Sequence, residues 1–151
     1  MKKCFVDWSP SCATRFIEDF EGRRLVAYRC SAGVWTIGVG HTEGVHEGMT
    51  CTDERADAWL KEDIRSTQLR LAEFVKVPVT QGQFIALVSL AFNVGVSYVA
   101  NCCPRLMCAL NNGRIDEAAD EFLDIDKAGG CVLPGLSRRR RAESDLFRSQ
   151  E

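Results

Sequence analysis

Residues 9–42 read SPSCATRFIEDFEGRRLVAYRCSAGVWTIGVGHT, and the change of texture inside that stretch decides the fold class. In its first half Ala13, Phe16, Ile17 and Phe20 fall at i, i+3, i+4 and i+7, the spacing that places apolar side chains on one face of a helix. Ser9 and Pro10 supply a start signal and Gly22 a stop. From Leu25 to Gly40 β-branched and aromatic residues take over, broken at Ser31-Ala32-Gly33, which predicts a hairpin or a three-strand sheet. A short helix therefore runs into a small sheet, and a carboxyl, Glu21, sits on the joint.

Working outward, Thr52 is placed to cap a long helix from Asp53 to about Phe74, with Ala56, Trp59, Leu60, Ile64, Leu71 and Phe74 along one stripe. Thr80-Gln81-Gly82-Gln83 has the spacing of a capping box and opens an apolar helix to Phe92, ended by Asn93-Val94-Gly95. A short helix is expected from Arg105 to Leu110, stopped at Asn111-Asn112-Gly113. Ile115, Ala118, Ala119, Phe122 and Leu123 then repeat at helical spacing. After Ala128-Gly129-Gly130 and Pro134-Gly135, Ser137 is read as the cap of a last helix carrying Arg139/Glu143 and Arg141/Asp145 at i, i+4. The order of elements predicts an α+β fold in one domain, residues 1–151. Residues 1–52 form a helix and β lobe, 53–74 a connecting helix and 75–151 a helical lobe, with a cleft between the lobes.

Bulk properties remove several function classes. Nineteen basic and twenty-one acidic residues give a net charge of −2, so no long-range field draws the chain to nucleic acid or anionic lipid. Arg138–Arg141 form the one basic run, and with acidic i+4 partners such a run more often makes a solvated helix face than a nucleic-acid site. The uncharged segment Val77–Pro104 is long enough to span a membrane, but Pro78, Gly82, Asn93 and Gly95 interrupt it. It is read as a buried core helix with flanking turns, and no stable membrane insertion is expected. Met1-Lys2-Lys3-Cys4 is not followed by an apolar stretch, so no cleavable export signal is expected. Eight cysteines suit either up to four disulfides or several free thiols, and their spacing does not give a pairing. With two histidines and no C-x-x-C pair, no metal site and no cofactor are expected.

A glycosidase needs a proton donor beside the leaving oxygen and a second group that activates water or attacks the sugar. Glu21, at a helix–sheet joint, can be held partly out of water. Cys30 stands nine residues on and Thr36 six beyond that, on facing segments of the expected hairpin, so that all three can converge at the cleft mouth. His41 is read as structural, because the acid and the water-handling groups are already supplied.

The flanking residues sharpen this. Glu21-Gly22, then Leu25-Val26-Ala27-Tyr28-Arg29, then Gly33-Val34-Trp35-Thr36-Ile37-Gly38-Val39-Gly40-His41-Thr42 closely resemble the active-site stretch of phage-type lysozymes, the T4-lysozyme-like hydrolases of glycoside hydrolase family 24. The resemblance continues through Gln83–Gly95, Leu110–Gly113 and Gly135–Arg140. It implies a lysozyme-like fold and a muramidase that hydrolyses the β-1,4 bond between N-acetylmuramic acid and N-acetylglucosamine. It also implies Glu21 as general acid, Thr36 as a residue that places water, and Thr42 and Phe92 as groove-lining positions. The partner implied is bacterial peptidoglycan, met in the periplasm or cell wall by a monomer made in the host cytoplasm or exported from a longer precursor. Many members carry aspartate where Cys30 stands, and a Glu/Cys/Thr version also occurs, including among endolysins controlled by disulfides. Cys102-Cys103-Pro104-Arg105 and Ile125 depart from the family pattern in the groove. These departures leave a second expectation, a module that binds peptidoglycan or assists its assembly with weak turnover. One of Arg138, Arg139, Arg140 and Arg141 is expected to approach Glu21 or the carboxylates of the substrate peptide.

Overall fold

The computed structural model describes residues 1–128 and 130–149. After two 3-10 turns, α1 (Thr14–Glu21) leads into the antiparallel strands β1 (Arg24–Arg29) and β2 (Trp35–Gly38). There follow α2 (Asp53–Leu71), α3 (Gln81–Val94), α4 (Val96–Cys102), α5 (Pro104–Asn111) and α6 (Ile115–Phe122). A two-residue ladder of β3 (Lys127–Ala128) with β4 (Cys131–Val132) precedes α7 (Pro134–Arg148). The α+β expectation is met. The main sheet has two strands, and the backbone of Met49–Cys51 supplies a partial third edge through Ala27 N to Met49 O and Cys51 N to Leu25 O, 2.9 Å each. Of the expected turn at Ala128-Gly129-Gly130, Gly129 lies outside the described residues.

α3 is the axis of the molecule. Thr80 Oγ1 accepts from Gln83 N and Gln83 Oε1 accepts from Thr80 N, so the capping box forms as expected, a device worth about 1 kcal/mol. From Gly82 to Ala91 every residue is buried, because the helix is apolar on all sides and other helices surround it. Burying each large side chain there contributes about 1.5–3 kcal/mol before conformational entropy is charged. α2 is capped by Thr52, whose Oγ1 accepts from Arg55 N at 3.1 Å, and it turns Ala56, Trp59, Leu60, Ile64 and Leu71 inward. Gln68 interrupts that stripe, yet it is fully buried and donates from Nε2 to the carbonyls of Phe5 and Trp8, both at 2.9 Å. The amino-terminal turn is thereby tied to α2. Lys3 pairs with Val79 in both directions and Trp8 Nε1 donates to Val79 O, so the residues before α1 join the same core as α3 and α7.

Several expectations are corrected. The long helix ends at Leu71 rather than Phe74. The turns expected after Gly95 contain a helix, α4, bent 102° from α3 at that glycine, and α5 begins at Pro104. No single helix among the described residues is long and apolar enough to cross a membrane. Ser137 is not a cap: α7 starts at Pro134, whose missing N–H suits the first turn, and Ser137 Oγ donates to Asp126 Oδ2. The basic run is not a solvated face, since Arg139 is 4 % and Arg140 0 % exposed while Arg138 and Arg141 are exposed.

Candidate active site

Glu21 is the last residue of α1, and Gly22, at φ +75°, turns the chain toward β1 while its N–H caps Glu18 O at 2.8 Å. The side chain of Glu21 is 21 % exposed. Its Oε2 accepts a short hydrogen bond, 2.5 Å, from Arg139 Nη1. Arg139 is itself fixed by α3, donating from Nε to Ser89 Oγ at 3.3 Å and from Nη2 to Ser89 O at 3.1 Å. A charge-assisted bond from an immobilised guanidinium holds a carboxylate direction more firmly than a neutral donor does. Among the four arginines of the run, Arg139 is the one that reaches Glu21.

The other oxygen of Glu21 faces Gly40. A side-chain carbon at that position would stand 3.1 Å from Glu21 Oε1 and 3.1 Å from Phe92 Cε1, and Gly40 has φ +70°. The positive φ and the close approach both demand glycine. Gly40, quoted in the sequence motif but given no role there, is therefore the spacer between the carboxyl and the cleft wall.

Cys30 and Thr36 lie on the hairpin, and neither lines the hollows that flank Glu21. The register pairs Tyr28 with Thr36 and Arg29 with Trp35, so Cys30 directly follows β1. Thr36 is buried and its Oγ1 donates to Val34 O at 2.9 Å. Cys30 is partly exposed. Backbone hydrogen bonds at Val34 and then Ala32 hold its thiol below the usual range, with a further contribution from the Thr36 side chain. Tyr28 lies in the field of both Glu21 and Cys30: burial pushes its phenol up, and the charges of Glu21 and then Cys30 push in the same direction. Sequence reasoning missed Tyr28, although it stands inside the quoted motif.

Two hollows flank Glu21. One, of about 270 Å³, is lined by Thr42 and Phe92 together with His41, Asp63, Arg70 and Val96. The other, of about 580 Å³, is lined by Phe20, Glu21, Asn93, Leu136, Arg138 and Arg139. Thr42 and Phe92 line the same hollow. Asn93 carries a buried Oδ1 with no partner among the described residues, which the turn-like reading of Asn93-Val94-Gly95 did not suggest. His41 stacks on Trp59 at 4.4 Å and 7°, and its Nδ1 is 2.8 Å from Asp63 Oδ2. Burial pushes the Asp63 carboxyl up and His41 partly offsets this. All eight cysteines are free thiols, so none of the pairings allowed by the even count is present. Among the described residues no cluster of three or more His, Cys, Asp or Glu is placed to hold a metal ion.

The sequence profile of the phage lysozyme family matches residues 18–143, a span that contains Glu21, the hairpin, Gly40, α3 and Arg139. The chain belongs to the phage lysozyme family. Its lysozyme-type enzymatic activity follows from that membership and from its relatives. The endolysin of Acyrthosiphon pisum secondary endosymbiont phage 1 is 43 % identical over 137 residues, covering 88 % of this chain and 92 % of that protein. The endolysin of Salmonella phage P22 is 42 % identical over 137 residues, covering 85 % and 90 %. In structure, the muramidase domain of SpmX from Asticaccaulis excentricus superposes with a TM-score of 0.82 at 36 % identity, covering 91 % of this lysozyme and 95 % of that chain.

Proposed function

We propose that this lysozyme hydrolyses the β-1,4 bond between N-acetylmuramic acid and N-acetylglucosamine of peptidoglycan, with Glu21 as the general acid and Cys30 and Thr36 handling the water. The observation that carries the reading is the seat of Glu21: one oxygen is fixed by Arg139, and the other faces the cleft across Gly40 beside Phe92. A carboxyl so held has one free direction, toward a glycosidic oxygen in the cleft.

In the step itself, Glu21 gives its proton to the leaving glycosidic oxygen as the bond to the anomeric carbon breaks. A water oxygen bonds to that carbon, and the proton it loses passes to the Cys30 thiolate. The hydrogen bonds at Val34 and Ala32 favour the thiolate this role requires. Thr36, fixed by its bond to Val34 O, orients the water. Thr42 and Phe92 line the groove that receives the glycan. The continuous core from Phe5 to Phe147 supports a single working domain.

The test is mass analysis of products from purified sacculi, with Glu21→Gln as the control. Reducing-end muropeptides from the parent protein and at least about a hundredfold fewer from the variant are the expected result. Anhydro products would replace hydrolysis by internal transfer. Binding to sacculi with no release would leave the peptidoglycan-binding module instead, and activity retained in Glu21→Gln would remove Glu21 from the acid role.

A further inference from the structure

Behind Arg139, away from the cleft, lies a second ion pair that takes no direct part in the hydrolysis. Arg140 Nε stands 2.6 Å from Glu143 Oε1 and Arg140 Nη2 donates to Glu143 Oε2 at 3.1 Å. Both side chains are fully buried, and Arg140 Nη1 has no hydrogen-bond partner among the described residues. Replacing such a pair with apolar residues of similar size is often neutral or stabilising, so stability does not account for it. The geometry offers another reason. On α7, Glu143 is one turn from Arg139 and its Oε2 is 3.6 Å from Arg139 Nε, on the far side of the guanidinium from Glu21. Four charges of alternating sign therefore run inward from the cleft: Glu21, Arg139, Glu143, Arg140.

Resting on the reading of Glu21 as the acid, we propose that Glu143, braced by Arg140, is a positioning residue: it holds Arg139 in the pose that fixes Glu21 and offsets the positive charge that Arg139 brings to the carboxyl.

The elements packed around the pair contribute few other charges. From α3 comes only the Ser89 hydroxyl, which faces Glu143 and accepts from Arg139. At the junction of α4 and α5 the Cys103 thiol lies in the field of Arg140, and Glu121 of α6 acts on that thiol. Glu21 of α1 acts on Arg140. Burial pushes the Glu143 carboxyl up, against the pull of Arg140, then Ser89 and Arg139, so its charge depends on both arginines being in place. Removing Glu143's charge leaves two guanidinium groups acting on Glu21 unopposed. The carboxylate form of the acid is then favoured, and its proton is lost at lower pH.

The experiment is the pH dependence of kcat and KM on purified peptidoglycan for the parent, Glu143→Gln and Glu21→Gln. In Glu143→Gln the basic limb of the kcat profile is expected about one pH unit lower, the effect of one unit charge across a partly screened interior. At neutral pH kcat falls roughly three- to tenfold while KM stays within about twofold. A merely structural Glu143 would lower the melting temperature without moving the limb. If Glu143→Gln does not fold, the double variant Arg140→Met/Glu143→Leu supplies the measurement, with a smaller shift of the same sign because Arg140's charge is gone too. A limb within about 0.2 unit of the parent in either folded variant, with Glu21→Gln inactive, overturns the proposal alone. Activity in Glu21→Gln overturns the acid assignment and this proposal with it.

Discussion

The two walls of the site are built on opposite principles. On the carboxyl wall, Glu21 is locked by Arg139, Arg139 by Ser89 of α3, and α3 by a core with no exposed residue between Gly82 and Ala91. On the hairpin wall, Cys30 is partly exposed and is followed by Ser31, Ala32, Gly33 and Val34, all exposed at the turn. The contrast matches the roles proposed for the two groups. A proton donor must meet one oxygen in one direction, so rigidity serves it. A group that handles water must be reachable by water, so it sits at the rim and takes its thiolate character from local backbone hydrogen bonds instead of from burial.

If the walls differ in this way, substitutions on them separate by size. Glu21→Gln is expected to cost the most, about 10²- to 10⁴-fold in turnover with the far-UV spectrum unchanged, the range for loss of a general acid. Gly40→Ala comes next. It forces a side chain into φ +70° and within 3.1 Å of both Glu21 Oε1 and Phe92, and is expected to cost about 1–2 kcal/mol of stability and roughly tenfold to a hundredfold in kcat, read by thermal melts and turbidity clearance. On the softer wall, Cys30→Ser is expected to lose about tenfold while Cys30→Asp, the residue common in the family, stays within a few-fold of the parent. A larger loss in Cys30→Ser than in Gly40→Ala would erase the distinction.

Two smaller effects sharpen it. Thiol alkylation followed by peptide mass mapping should modify Cys30 at a pH below the ordinary thiol range near 8.5, because its hydrogen bonds favour the thiolate. Cys103, buried and pushed up by that burial, should react last. Val34→Ala, at the exposed turn, is expected to change stability by less than about 0.5 kcal/mol.

Much of this was readable in the sequence where a local rule has a single outcome. The helix-to-strand joint at Gly22, the capping box at Thr80–Gln83 and the stripe of α2 are local, and they form where periodicity and capping place them. α4 was not readable, because residues 96–102 continue an apolar run in which periodicity carries no contrast; only the break before it, at Gly95 with φ +93°, has a local signal. Ser137 looked like a cap because Ser outranks Leu there, but Pro134 three residues earlier had already started the helix and Asp126 claimed the hydroxyl. The burial of Arg139 and Arg140 was equally hidden. An arginine with an acid at i+4 looks the same on a wet face as on a buried one, and what decides it here is α3 and a carboxylate far away along the chain. The ladder β3–β4 is too short to show a period.

The seat of Glu21 also has a consequence in time. Glu21 and the arginine that fixes it are separated by 118 positions. At about 5–20 residues per second of synthesis, the ribosome delivers Arg139 roughly 6–24 s after Glu21. During that interval the nascent chain carries Glu21 without the guanidinium that aims it, so α7 is a clasp made after the side chain it holds.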